Sequence, residues 1–198
     1  MKFFVLWQQR PYGDYAGFSH LGTWSESRLC PKCGRHSSRL VEPLLVEFEP
    51  GSDVLADFMW CGYTFIVLPR VRGFFEQERF GCSFGRIEVV EPSGSTRERR
   101  VVYPYVGPDL TWVQAAHSVS IDVAANKLAV ATCSVCHRTK IEFKQTGLIV
   151  SKNELHGNKM FRIAEYSPTV SYITEDGLDD LLTEGYSNLG YIEAGEFL

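Results

Sequence analysis

Two Cys-x-x-Cys pairs, Cys30-Pro31-Lys32-Cys33-Gly34 and Cys133-Ser134-Val135-Cys136-His137, are the residues whose type and spacing could do chemistry. A two-residue gap lets both sulfurs of a pair turn to one side of a tight loop and supply half of a tetrahedral metal shell. Two such half-sites in one chain point to a single shared zinc held by Cys30, Cys33, Cys133 and Cys136. Gly34 suits a knuckle whose backbone turns through positive φ after the second cysteine. His137 stands at the matching place, and histidine tolerates that conformation better than most non-glycine residues. Four thiolates close the shell and leave no position for water or substrate, so the expected role of the metal is structural.

Other readings of the same cysteines stay open. Cys133-Ser134-Val135-Cys136-His137 also fits the c-type haem attachment pattern, which requires export. A thioredoxin-like redox role needs Cys-x-x-Cys at the start of a helix, and the residues after Cys33 and Cys136 do not favour one. Unmetallated thiols are the third reading. Cys61 and Cys82 have no partner at ligand spacing and read as buried apolar fillers. His20, His36, His117, His137 and His156 lie singly, with His36 and His137 near enough to the pairs to serve as supporting donors or replacement ligands. No phosphate-binding glycine loop, nucleophile elbow or His-Glu-x-x-His helix is present, so no catalytic residue is assigned and the expectation is a non-enzyme.

The elements that must hold the pairs are short. A chain of 198 residues with 44% hydrophobic content can bury a large core, and it reads as one domain over 1–198. Phe3–Trp7 is apolar but too brief for a signal segment, and it reads as a first strand entering the core. No apolar run approaches a membrane span, so the expected compartment is the cytoplasm, where six cysteines favour metal over disulfides. Arg39–Glu49 reads as an extended segment around Pro43, and Phe58–Leu68 as one strand or two joined at Gly62. Pro69 opens a helix with Val71, Phe74 and Phe75 on one face, followed by a strand over Phe84–Val90. Residues 92–100 read as a loop ending in an arginine cluster, and Val101–Val106 and Ser118–Val123 as strands. Leu128–Thr132 and Lys140–Phe143 flank the second pair, so both knuckles, 30–34 and 133–137, read as hairpin tips.

Toward the C-terminus, Lys159–Ile163 and Val170–Ile173 read as strands. Thr174 caps a helix with Leu178, Leu181 and Leu182 on its buried stripe. Gly185 stops that helix, and Gly190–Glu193 closes the segment as a strand. The same order of strand, helix and strand occurs over 57–90 and 159–195, with Gly85-x-Ile87-Glu88 and Gly190-x-Ile192-Glu193 matching once a gap is allowed, which reads either as an internal duplication or as convergent strand–helix–strand economy. Residues 163–198 hold eight acidic side chains and no Lys or Arg. That charge is a solvated face or a surface shaped for a basic partner, and the formal net charge of −4 disfavours nucleic acid.

Cys-Pro-x-Cys-Gly near the start, a distant second Cys-x-x-Cys, and a tail of Met160-Phe161-Arg162-Ile163, Tyr172-Ile173-Thr174 and Leu181-Leu182 together resemble the double-CXXCG motif family. That family is abundant in myxobacteria and includes immunity proteins against the Sit toxins passed between neighbouring cells. His137 departs from the pattern, standing where the family has glycine. The resemblance implies a cytoplasmic antidote that binds one cognate protein toxin and blocks it. The expectation is therefore an α+β protein with a mixed, mainly antiparallel sheet, short helices and two zinc-knuckle hairpins forming one zinc-ribbon-like site. The expected function is a zinc-stabilised binding protein of the immunity type. The alternative is a zinc-ribbon nucleic-acid or transcription-associated module using the Arg97–Arg100 loop.

Overall fold

A computed structural model describes residues 1–8, 14–21, 25–34, 36–62, 64–92, 101–136, 139–141, 146–166 and 170–198. The first run of elements is β1 Lys2–Gln8, β2 Phe18–His20, β3 Ser25–Leu29, β4 His36–Leu40, β5 Leu44–Phe48, β6 Phe58–Cys61, β7 Thr64–Val67, α1 Pro69–Gln77 and β8 Cys82–Val89. The second run is β9 Thr111–Ala115, β10 Ser118–Val119, β11 Val130–Thr132, β12 Thr139–Ile141, β13 Leu148–Val150, β14 Met160–Ile163, β15 Tyr172–Thr174, α2 Glu175–Thr183 and β16 Leu189–Phe197. A single 3₁₀ turn, Lys152–Glu154, lies between β13 and β14. The result is a mixed α+β fold, mostly strands in two sheets, with two short helices.

The two runs match strand for strand. One sheet has the order β2-β5-β8-β9-β7-β6 and the other β10-β14-β15-β1-β16-β13. In the first, β5 runs parallel to β8, while β8–β9, β9–β7 and β7–β6 are antiparallel. In the second, β13 runs parallel to β16, while β16–β1, β1–β15 and β15–β14 are antiparallel. The correspondence reaches well beyond 57–90 and 159–195, and it includes an exchange. The first strand of each run, β1 or β9, is inserted in the sheet built from the other run.

Both sheets curl. Val119 of β10 pairs with Ile163 of β14, and Ile121, two residues on, bridges to Val150 of β13, so the second sheet closes into a barrel. In the first sheet β2 pairs with β5 on one side and lies beside β6 on the other. Alternation along each strand then sends side chains to two different cores. Phe3 of β1 joins Phe161, Tyr172, Leu148 and Phe197 inside the C-terminal barrel, whereas Leu6 of β1 faces the joint between the barrels. Leu44, Val46, Met59, Ile66 and Trp112 fill the N-terminal barrel. A third core at the joint takes Val71 and Phe75 of α1, Leu178 and Leu181 of α2, and Phe58, Val113, Met160 and Ile173 from the strands. The stretch Phe3–Leu6 of β1 is an unbroken apolar run because its two faces pack against different cores.

Each helix follows directly on a strand for local reasons. Pro69 opens α1 at a position where its missing N–H costs nothing. Thr174 caps α2 by accepting from the Gly177 N–H at 3.3 Å, with Glu175 and Asp176 at the positive end of the dipole. Gly185 leaves the helix at φ +64°. The loop after each helix then holds the opposite half. The Met160 N–H donates to the Phe80 carbonyl at 2.8 Å, and the Phe58 N–H donates to the Ser187 carbonyl at 3.3 Å. Lys159 lies over the Phe80 ring at 5.2 Å and Arg70 over the Tyr186 ring at 4.8 Å.

Three sequence expectations change. Arg39–Glu49 is two strands, β4 and β5, broken by a bend at Glu42–Pro43. Val101–Val106 is a turn region and not a strand, since Pro104 supplies no N–H for a ladder. Ser118–Val123 narrows to β10 and the single Ile121 bridge, because Asp122 starts a turn by accepting from the Ala125 N–H at 2.8 Å. Phe58–Leu68 resolves into β6 and β7, with Gly62 at φ +57° between them. The Arg97–Arg100 loop, Pro168, His137, and Glu142 and Phe143 at the end of the second knuckle lie outside the described residues.

Candidate metal centre

The cysteine pairs sit on the loops of two small hairpins. Strands β3 and β4 pair antiparallel with Leu29 opposite His36 as the last rung, and β11 and β12 pair with Thr132 opposite Thr139. Each loop therefore spans six residues, 30–35 and 133–138, with cysteine at its first and fourth positions. In the first loop the Gly34 N–H donates to the Cys30 carbonyl at 3.0 Å, and Gly34 has φ +68°, as a knuckle requires.

The fold brings these two loops together. The sulfurs of Cys30 and Cys133 are 3.8 Å apart and those of Cys33 and Cys136 are 3.7 Å apart. All four sulfurs lie within 4.8 Å of one another. The cysteines that meet hold the same position in their respective loops, as a twofold relation between the halves demands. A disulfide would bring sulfurs to about 2.0 Å, and all four are free thiols. A tetrahedral ion with metal–sulfur bonds of about 2.3 Å would hold its ligands about 3.8 Å apart. The four cysteines are therefore a plausible metal site. Cys30 is buried, Cys133 and Cys136 are half-buried, and Cys33 is exposed.

Backbone dipoles prepare the leading cysteine of each pair. N–H groups of Cys136 and then Val135 point at Cys133 and pull its thiol down to about 6. N–H groups of Cys33 and Lys32 lower Cys30 in the same way. Thiolate is the ligating form, so both shifts favour a metal. A polar tie accompanies the sulfurs, with Lys32 Nζ donating to Ser134 Oγ across the two loops at 2.7 Å.

The other cysteines behave differently. Burial pushes Cys61 and Cys82 up to about 12, which keeps them neutral, and Cys82 Sγ donates to Met160 Sδ at 3.4 Å. Sequence reasoning did not find the buried carboxylate at the joint between the halves. Asp57 accepts a two-pronged contact from Arg70, and both the N–H and the hydroxyl of Ser187 donate to it at 2.7 Å. Burial alone would raise this carboxyl, but the Arg70 and Ser187 bonds more than offset it and hold Asp57 below the usual range. Its partners are 13 and 130 residues away, a separation that no local pattern carries. The acidic tail is partly spent on such contacts, since Glu193 pairs with Lys2, Asp180 with Lys159, and Glu165 accepts from the Ile121 N–H. Among the described residues no helix is long and apolar enough to cross a membrane. No protein-family model matches the chain, and no curated protein matches it either.

Proposed function

We propose that this is a metal-clasped binding protein in which one Zn²⁺ is held by Cys30, Cys33, Cys133 and Cys136 in a closed, zinc-ribbon-like structural shell. The observation that carries the reading is the pair of sulfur separations, 3.8 and 3.7 Å, between two loops more than 100 residues apart in sequence. Four thiolates without carboxylate or imidazole suit zinc or iron, and zinc needs no redox partner. The ion would tie one hairpin of each half to the other, so its contribution is to stability and not to a reaction.

The biological role proposed for this scaffold is neutralisation of a cognate protein toxin in the cytoplasm. Support comes from the resemblance of both cysteine pairs and the Phe161-Arg162-Ile163 tail to the double-CXXCG family, and from the acidic C-terminal stretch, which would steer a basic partner. The test is growth protection. A tagged copy is used to recover a tight partner from the native cell, and that partner is then expressed alone and together with this chain. Arrest by the partner alone, relieved by co-expression, is the expected result. A partner that is harmless, or equally harmful in both cases, would sink the antidote role. Binding that collapses between low and moderate salt would indicate nucleic acid instead.

A further inference from the structure

We infer that the metal clasp is an oxidation-driven switch, in which hydrogen peroxide joins Cys33 to Cys136 as a disulfide between the two loops and zinc is released. This deepens the zinc reading above and rests on it. Solvent reaches the four sulfurs unequally. Cys33 is exposed and Cys136 half-buried, whereas Cys30 is buried. Cys33 and Cys136 face each other across the loops at 3.7 Å, and Cys30 and Cys133 do so at 3.8 Å. The cluster is therefore an outer pair with the exposed sulfur and an inner pair with the buried one, each drawn from both halves.

The exposed thiolate meets the oxidant first, since oxidation follows thiolate character and access. Cys33 Sγ attacks one peroxide oxygen; the S–O bond forms, the O–O bond breaks and hydroxide leaves. Cys136 Sγ then attacks the sulfenic sulfur; the S–S bond forms, the S–O bond breaks and a second hydroxide leaves. Two thiolates give up two electrons, the peroxide takes them, and two protons from solvent convert the hydroxides to water. The ion itself changes no oxidation state. Only Cys30 and Cys133 are left as thiolate ligands, and an opened shell of two sulfurs lets the zinc go. A second peroxide repeats the sequence at the inner pair.

The geometry favours a bond between the loops over one within a loop. Lys32 Nζ donates to Ser134 Oγ at 2.7 Å, so the residues beside Cys33 and Cys133 hold the loops together while the outer sulfurs close from 3.7 Å to about 2.0 Å. The consequence is mechanical. Cys33 and Cys136 are 103 residues apart in sequence, and a link over that distance restricts the unfolded chain far more than one inside a Cys-x-x-Cys loop. Oxidation thus exchanges a metal tie between the halves for a covalent tie between the same two loops, and the halves stay joined. Cys61 and Cys82 pack in other cores of the fold and take no part.

The test uses the full chain, with its zinc content measured first. Hydrogen peroxide is titrated in while a chromophoric indicator reads released zinc, and digests of the alkylated protein are mapped by mass spectrometry. About one peroxide is expected to be consumed per zinc released. The first cross-linked peptide is expected to join Cys33 to Cys136, and a reducing dithiol should restore both the thiols and zinc binding. The oxidised chain should melt above the same chain stripped of zinc and kept reduced. Cys61 and Cys82 should remain free thiols, alkylated only after denaturation. Zinc retained under about a hundredfold excess of peroxide overturns the proposal. So does a first disulfide within Cys30–Cys33 or Cys133–Cys136, a sulfinic acid at Cys33 in place of a disulfide, or an oxidised chain that melts no higher than the stripped one. A chain that carries no zinc at the start fails the metal reading itself, whereas a zinc-bearing chain with any of these results fails this inference alone.

Discussion

Replacing Cys133 by serine removes one of four thiolates from a shell whose members face one another at 3.7 and 3.8 Å. Structural zinc sites in small modules contribute about 10–16 kcal/mol. Shared over four equal ligands, one thiolate carries about 3–4 kcal/mol, which is about two to three orders of magnitude in affinity. A serine hydroxyl does not replace it, because only the thiolate is a strong ligand at neutral pH. The assay is competition with a chromophoric chelator, followed by melting curves with and without added zinc. Cys133→Ser is expected to lose zinc to the chelator at concentrations about a hundredfold or more below those the parent resists, and to melt lower. Cys30→Ser is expected to behave alike, since Cys30 and Cys133 hold equivalent positions and touch each other. The stability lost should approach RT ln(1 + [Zn]/Kd) and vanish when both proteins are stripped of metal. A Cys30→Ser/Cys33→Ser double variant that still holds one zinc at parental affinity would refute the shared shell, because the second pair would then suffice alone.

Asp57→Asn should cost about 1–3 kcal/mol in denaturant unfolding, because Ser187 and the half-exposed Arg70 would lose the charge of the buried anion they bind. The folded Asp57 carboxyl is depressed, so its contribution is present above the unfolded value and fades as pH falls through the folded one. Parent and variant stabilities should therefore converge in acid, and a gap that stays constant below pH ~3 would contradict the assignment. At the other extreme, Cys61 and Cys82 are raised to about 12, so their contribution is full below pH ~9, where unfolded thiols titrate, and is lost as pH rises toward 12. A Cys61→Ala/Cys82→Ala variant, compared as metal-free protein, should show a flatter stability curve between pH ~9 and ~11 than the parent; an unchanged slope would locate the alkaline loss elsewhere. Gly85→Ala places a Cβ 2.0 Å from the Trp112 ring and should destabilise by about 1–3 kcal/mol or more. Adding Trp112→Leu should recover part of that loss in a double-mutant cycle, and strict additivity would argue against the contact.

The pairs were legible because ligand spacing is a local property. Six-residue loops, cysteine at first and fourth positions and a positive-φ glycine all fit within one short window. The α2 cap at Thr174, the Leu178 and Leu181 part of its stripe and the Gly185 stop were readable for the same reason, whereas Leu182, expected on that buried stripe, is 45% exposed because it turns off the face that meets the joint. Pairing was harder. That β1 lies between β15 and β16, and β9 between β7 and β8, is decided by contacts more than 100 residues apart for β1, and nothing in the period-2 pattern of either strand names its neighbours. Gly85-x-Ile87-Glu88 and Gly190-x-Ile192-Glu193 do lie in β8 and β16, the strands that follow each helix, but the pairing offsets them by two residues. Ile66 and Tyr172, each three residues before a helix, pair with Trp112 and Val5, which pair in turn with Gly85 and with Ile192, not Gly190. Most of the correspondence is carried by topology alone. Val5 answers to Trp112 and Ile192 to Gly85, and no substitution pattern would align those residues. The strand expected over Val101–Val106 failed because β-branched composition outweighed Pro104 in the reading, whereas in the chain the missing N–H decided.

The central claim is a single metal bound equally by both hairpins, and X-ray absorption at the metal edge of protein purified without added metal tests it most directly. One zinc per chain with four sulfur neighbours at about 2.3 Å, and no nitrogen or oxygen in the first shell, is the expected result. A first shell of two sulfurs completed by lighter atoms, or a site that is not zinc, would contradict it, because the sulfur positions of Cys30, Cys33, Cys133 and Cys136 leave room for one closed tetrahedron.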